Sequence, residues 1–158
     1  MPEVREGVHD ASGRKVAIVA GRFNDLVTAT LVDGAVECFR RHGAGDEDVV
    51  VYWVPGAFEV PQLAMRIASS GEFDGVVCVG AIIRGETNHF DVLCQSVIDS
   101  IARVSEACSL PVTYGIVSAE NLDQAIDRAG GKHGNKGWDS ALALIEMMTL
   151  WKSGAGRG

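Results

Sequence analysis

Cationic side chains are in short supply: 14 Lys and Arg stand against 21 Asp and Glu, for a net charge of −7. Nucleic acid and anionic membrane surfaces both reward basic patches, so neither is expected as a partner. No apolar run reaches the roughly 18 residues of a membrane span. The opening MPEVREGVHDASGRK has no apolar stretch of the kind a secretion signal uses, which makes cytoplasmic residence the expectation. Cysteine is sparse: Cys38, Cys78, Cys94 and Cys108 form no C-x-x-C pair, which favours reduced, buried thiols over a disulfide frame or a metal site. Missing as well are G-x-x-x-x-G-K-[ST], G-x-G-x-x-G after a strand, H-E-x-x-H and G-x-S-x-G. Their absence removes the P-loop, dinucleotide, zincin and serine-hydrolase readings together.

What is present suits a compact core. With 47% hydrophobic and 22% charged residues the chain is not disordered, and its 158 residues fit one domain over 1–158. Four apolar, β-branched runs read as strands buried on both faces: 15–20 (KVAIVA), 49–54 (VVVYWV), 75–83 (GVVCVGAII) and 111–117 (PVTYGIV). Helical spacing separates them. Val27, Leu31, Ala35 and Cys38 mark one helix, and Pro61 opens a second that runs through Ile67. Leu93, Val97, Ile101, Val104 and Cys108 mark a third. A short helix near 121–128 and a last one over 136–151 follow. Residues 1–14 read as an extended arm, and 153–158 as a tail that frays.

The order βαβαβαβαα predicts an α/β fold of three layers, with a four-stranded parallel sheet and helices on both faces. Ligands of such sheets bind beyond the carboxyl ends of the strands, which directs attention to the loops at 21–25, 55–59, 84–89 and 118–121. The last helix is apolar nearly all round, which means either a wide core stripe or a second subunit against it.

Those loops carry candidate chemistry. In GRFND, Phe23 is either a core-edge ring or a ring that stacks on a flat heterocycle, and Asn24 or Asp25 caps a helix. In VPGAFEVP, Glu59 is either a first-turn surface carboxylate or an acceptor for a ligand's N–H groups. In IIRGETNHFD, Thr87 and Asn88 are placed to cap a helix whose free N–H groups would hold an anion. His89, in the same turn, is either structural or a proton carrier near neutral pH. Arg128, Lys132, His133 and Lys136 form the one dense cationic patch, read either as helix-end charge or as a phosphate clamp in a net-acidic protein.

Four strings at these spacings resemble the lumazine synthase family (6,7-dimethyl-8-ribityllumazine synthases of riboflavin biosynthesis): GRFND at 21–25, PGAFEVP at 55–61, GAIIRGETNHFD at 80–91 and AENLDQAIDRAGGKHGNKG at 119–137. The resemblance implies a flavodoxin-like fold and a condensation of 5-amino-6-(D-ribitylamino)uracil with 3,4-dihydroxy-2-butanone 4-phosphate, without metal or organic cofactor. It implies that Phe23 stacks on the pyrimidine, and that Ala57, Phe58, Glu59 and Ala81, Ile82 and Ile83 bind the uracil and ribityl portions. Glu86, Thr87 and Arg128 would surround the phosphate, and His89 would move protons. Tyr114, where the family usually has Phe, would reach in from a neighbouring subunit. Asn24 and Lys136 are secondary candidates. A homopentamer is implied as the minimum assembly. The short turn at 130–136 resembles that of icosahedral, sixty-subunit members, for which riboflavin synthase is a potential companion. A flavin or lumazine carrier of the same fold is the competing reading. The phosphate-binding set speaks against it, and GRFND lacks the Ser/Thr-rich loop of a flavodoxin-type electron carrier.

Overall fold

A computed structural model of the chain describes residues 1–86 and 89–153. Apart from Ser153, the frayed tail expected at 153–158 lies outside the described residues, as do Thr87 and Asn88. Among those described, the chain order is β1 (Val16–Gly21), α1 (Asp25–Arg41), β2 (Val49–Val54), α2 (Val60–Ala68), β3 (Gly75–Ile83), α3 (His89–Ala107), β4 (Val112–Ala119), α4 (Leu122–Asp127), β5 (Ala129–Gly131), β6 (Gly134–Asn135) and α5 (Lys136–Lys152).

The first four strands form one all-parallel sheet in the order β2-β1-β3-β4. β1 and β3 occupy its centre, and their continuous apolar runs are buried on both faces as expected. β2 departs from that expectation. It is an edge strand, half-buried along most of its length, with Trp53 exposed. Two cores flank the sheet. Val16, Ile18 and Ala20 of β1 face α1 and α5, while Ala17 and Val19 face α2 and α3, as the two-residue period of a strand requires. Val27, Leu31, Ala35 and Cys38 are all buried on the inner side of α1. Together the layers give the flavodoxin-like α/β arrangement.

The last helix finds most of its partner surface within the chain. Ala141, Leu144, Ile145 and Met148 of α5 are buried against α1 and the sheet. Its outer side is mixed: Asp139, Ala143, Glu146, Met147 and Trp151 are exposed. α1 and α5 cross closely at glycine: a Cβ on Gly137 would sit 2.0 Å from the Leu31 carbonyl oxygen. Asn135 secures the crossing, donating from Nδ2 to Thr30 O at 3.0 Å and accepting from the Trp138 N–H at 3.1 Å. The arm at the N-terminus is not free of the body. The Val8 N–H donates to Thr149 Oγ1 at 2.8 Å, and the Ala11 N–H to His42 O at 2.8 Å.

Sequence periodicity gives no hint of the β5–β6 hairpin. It pairs Ala129 with Asn135 and Gly131 with Gly134 inside the glycine-rich turn. The Lys136 N–H donates to Arg128 O at 2.9 Å across its base.

Candidate active site

The strand order reverses between β1 and β3: from β1 the chain moves to β2 on one side, then returns to β3 on the other. Loops leaving the carboxyl ends of two such strands diverge and leave a crevice. Here β1 stops pairing with β3 at Val79, while β3 runs on to Ile83 against β4 alone. The backbone of Ala81, Ile82 and Ile83 therefore has an edge with no strand partner on the crevice side.

Backbone bonds carry the loop after β1 towards β2. The Arg22 N–H donates to Val54 O at 2.7 Å and the Phe23 N–H to Pro55 O at 2.9 Å. Gly21 is required at this junction, because a Cβ there would lie 2.9 Å from both Ala57 N and the Gly56 carbonyl carbon. Asn24 then adopts a left-handed conformation at φ 66° as α1 begins, and its Nδ2 donates to Ala81 O at 3.1 Å. Phe23 is left 74% exposed, which removes the core-edge reading of this ring. In the loop after β2, Ala57, Phe58 and Glu59 form one 3-10 turn leading into α2, with Pro61 in the helix's first turn. Ala57 is buried, Phe58 is 65% exposed, and Glu59 is half-buried with no ion-pair partner among the described residues.

These pieces enclose a recess of about 170 Å³ bounded by Phe23, Asn24, Ala57, Phe58, Glu59 and Ala81 to Ile83. A second recess of about 460 Å³ adjoins it, formed by Phe58, His89, Val92, Leu93 and Ser96. Phe58 and Leu93 line both. His89, the first residue of α3, is exposed at this second opening. The arrangement offers two aromatic faces, a carboxylate, free backbone polar groups and an imidazole around one opening: the equipment for holding a flat polar heterocycle beside a proton carrier. Leu93 is legible in the sequence only as a core position of α3, although it stands one turn from His89.

The remaining candidates lie elsewhere. Glu86 is exposed on the loop between β3 and α3, and Thr87 is outside the described residues. Arg128 ends α4, with Nη1 donating to Gln124 O at 3.4 Å, and lines neither recess. Tyr114 is half-buried on the edge strand β4, and burial raises its phenol pKa, opposed by a hydrogen bond with Ser118. Lys136 Nζ lies 5.4 Å from the centre of the Tyr114 ring. Tyr114 and Lys136 thus meet each other at the sheet's edge, but neither reaches the protomer's own crevice.

A further hollow, about 530 Å³, is at the opposite end of the sheet, bordered by Arg14, Phe73, Asp74, Leu110, Pro111 and Trp151. It contains none of the candidate residues. Trp151 has a structural task there, donating from Nε1 to Ser109 O at 3.0 Å. Trp138 packs edge-on to His42 with ring centres 5.9 Å apart. All four cysteines are free thiols, and Cys38 and Cys78 are buried. Among the described residues no cluster of His, Cys, Asp and Glu is arranged to ligate a metal, and no helix is long and apolar enough to cross a membrane.

Sequence reasoning overlooked Arg84, directly after β3. Its guanidinium bonds Glu120 at the end of β4 and Asp91 in the first turn of α3, and lies over the Phe90 ring. No spacing rule connects residue 84 with residue 120.

Comparison with protein families matches residues 13–152 to the model described as 6,7-dimethyl-8-ribityllumazine synthase. The match takes in both recesses, the cationic hairpin and every element from β1 to α5.

Proposed function

The chain belongs to the 6,7-dimethyl-8-ribityllumazine synthase family, and from that premise we propose that it condenses 5-amino-6-(D-ribitylamino)uracil with 3,4-dihydroxy-2-butanone 4-phosphate. The products are 6,7-dimethyl-8-ribityllumazine, phosphate and a pair of water molecules. The observation that carries the reading is the crevice at the β1/β3 switch point. Two exposed rings, Phe23 and Phe58, flank it beside Glu59 and the edge of Ala81 to Ile83 that has no strand partner.

In this reading the uracil lies against Phe23. Its N–H and C=O groups bond the backbone of β3's free edge, and Glu59 accepts from the ligand's remaining donors. The substrate's own amine attacks the ketone of the butanone phosphate and water leaves to give an imine. Phosphate is then eliminated and the resulting enol tautomerises to a ketone; the second nitrogen attacks that ketone, and a second water leaves as the ring closes. His89, at the mouth of the adjoining recess, takes and returns protons through these steps. The protein contributes mainly by holding two reactants in line, which alone lowers a barrier substantially.

Glu86, Thr87 and Arg128 hold the phosphate in this reading, with Arg128, Tyr114 and Lys136 supplied to the crevice of an adjacent subunit. Two features support a shared site: those three residues lie off their own protomer's crevice, and apolar side chains are exposed both at the crevice and beside the hairpin. Phe23, Phe58 and Val92 are exposed around the crevice, while Leu26 and Ile126 share a hollow beside the hairpin, with Leu122 exposed on the same helix as Ile126. A homopentamer is the minimum assembly, and the short hairpin at 129–135 favours a closed sixty-subunit shell.

The test mixes purified protein with the two substrates and follows the absorbance of the lumazine. Product formed in proportion to enzyme supports the synthase. A protein that retains colour through dialysis and forms no product is a carrier. Light scattering that finds a stable monomer overturns the shared site; a lone pentamer or decamer overturns only the shell.

A further inference from the structure

Arg84 lines neither recess, yet it joins α3, which borders both, to the residue that follows β4. Its backbone N–H extends the β3–β4 ladder by donating to Ala119 O at 2.9 Å. Its Nε donates to Glu120 Oε2, and its Nη2 donates to Glu120 Oε1 at 3.3 Å and to Asp91 Oδ1 at 3.2 Å. The guanidinium carbon lies 4.4 Å from the centre of the Phe90 ring. Glu120 is itself anchored, since its backbone N–H donates to Gln124 Oε1 at 2.9 Å. Phe90 and Asp91 directly follow His89 in the first turn of α3.

We propose that Arg84 is a positioning residue for His89, a role that rests on the reaction assigned above. It ties the first turn of α3 to the ends of β3 and β4, and so fixes the imidazole relative to β3's free edge. A single exposed ion pair is worth little. Here one planar fork meets two carboxylates and a ring, which restrains direction as well as distance. A second part for Arg84 as a phosphate ligand is disfavoured by the same contacts, because two carboxylates already offset its charge. Small displacements of a reacting group are expensive in rate, so the restraint matters to turnover more than to stability.

The test is a double-mutant cycle with a structural readout beside it. Arg84→Ala lowers kcat by roughly 3–10-fold, part of the loss a misplaced catalytic group incurs, and changes either KM by less than about twofold. Arg84→Lys recovers little, since an ammonium has no planar fork. Arg84→Ala combined with His89→Ala is no slower than His89→Ala alone, because the arginine acts only through the histidine. Independently of turnover, amide exchange at Leu93 and Cys94, which close the first turn of α3, accelerates several-fold in Arg84→Ala, while α5 amides are unchanged. Losses that add in the double variant, or unchanged exchange at α3, overturn the proposal. If the wild-type protein forms no lumazine, the proposed function is what fails, and the exchange measurement still decides whether Arg84 holds the start of α3.

Discussion

The side chain of Asn24 donates a 3.1 Å hydrogen bond to the backbone carbonyl of Ala81, joining the loop after β1 to the last residues of β3 across the crevice. Asn24 is also the one non-glycine residue among those described with a positive φ. Asparagine suits both demands, since its short amide tolerates the left-handed region.

Replacing Asn24 separates the two demands. Asn24→Gly keeps the conformation and loses the bond, at about 1 kcal/mol. Asn24→Ala loses both, at about 2–3 kcal/mol. Denaturant melts of the three proteins give the ranking. KM for the ribitylaminouracil should rise in both variants, because the carbonyl of Ala81 is no longer held. Equal stability of the two variants would show that backbone strain plays no part.

His89→Ala should slow turnover while leaving the melt unchanged, as the residue is exposed at a helix start. A positioned acid–base group is worth about 10²–10⁴ in rate. The low end or below is expected here, since alignment of two substrates carries much of the work and buffer can move protons. Steady-state kinetics at saturating concentrations of both substrates measure the loss. An unaltered kcat would remove His89 from the chemistry.

Arg128→Ala should raise KM for the butanone phosphate and lower kcat, with little change for the uracil substrate, which has no phosphate. A charge-assisted contact is worth about 1.5–3 kcal/mol, or roughly 10–150-fold in kcat/KM. Arg128→Lys recovers part of the loss. Varying each substrate in turn checks this. Equal weakening of both substrates, or of neither, would make Arg128 a simple helix-end charge.

Burial pushes the Cys78 thiol up to about 12, and burial with a smaller push from Asp139 does the same for Cys38. Thiolate is the reactive form, so at pH 8 a native sample should be alkylated at no thiols but Cys94 and Cys108. All four react once the chain is unfolded. Peptide mapping checks this, and label on Cys78 in the native protein would contradict it. The raised values also fix a sign. Unfolded thiols ionise from about pH 8.5, so stability should be intact below that and fall as pH climbs towards 12.

Strands and helices were legible because burial leaves a period behind. Val16 to Gly21 and Gly75 to Ile83 are apolar on both faces since helices cover both. The same run of residues does not separate a centre strand from an edge strand, and so β2, with Trp53 exposed, was expected to be covered. The β5–β6 hairpin rests on the pairings Ala129 with Asn135 and Gly131 with Gly134, too short a ladder to leave a side-chain period. At the site, the loops were found from strand ends alone, but the two readings of Phe23 separate only when its exposure is seen. Arg84 was missed because its partners are 7 and 36 residues away, brought together by the β3–β4 register rather than by local spacing.

The hairpin that bears Arg128 is bonded at its base to the start of α5, and Asn135 fastens it to α1 at a glycine-lined crossing with no room to slide. Arg128 therefore travels with the rigid body of its protomer rather than with a loop. In a site shared between neighbours, catalytic geometry then depends on how whole protomers dock, and specific activity becomes a function of protein concentration. On dilution past the assembly's dissociation constant, turnover per chain should decay steeply while the far-ultraviolet circular dichroism of each chain holds constant.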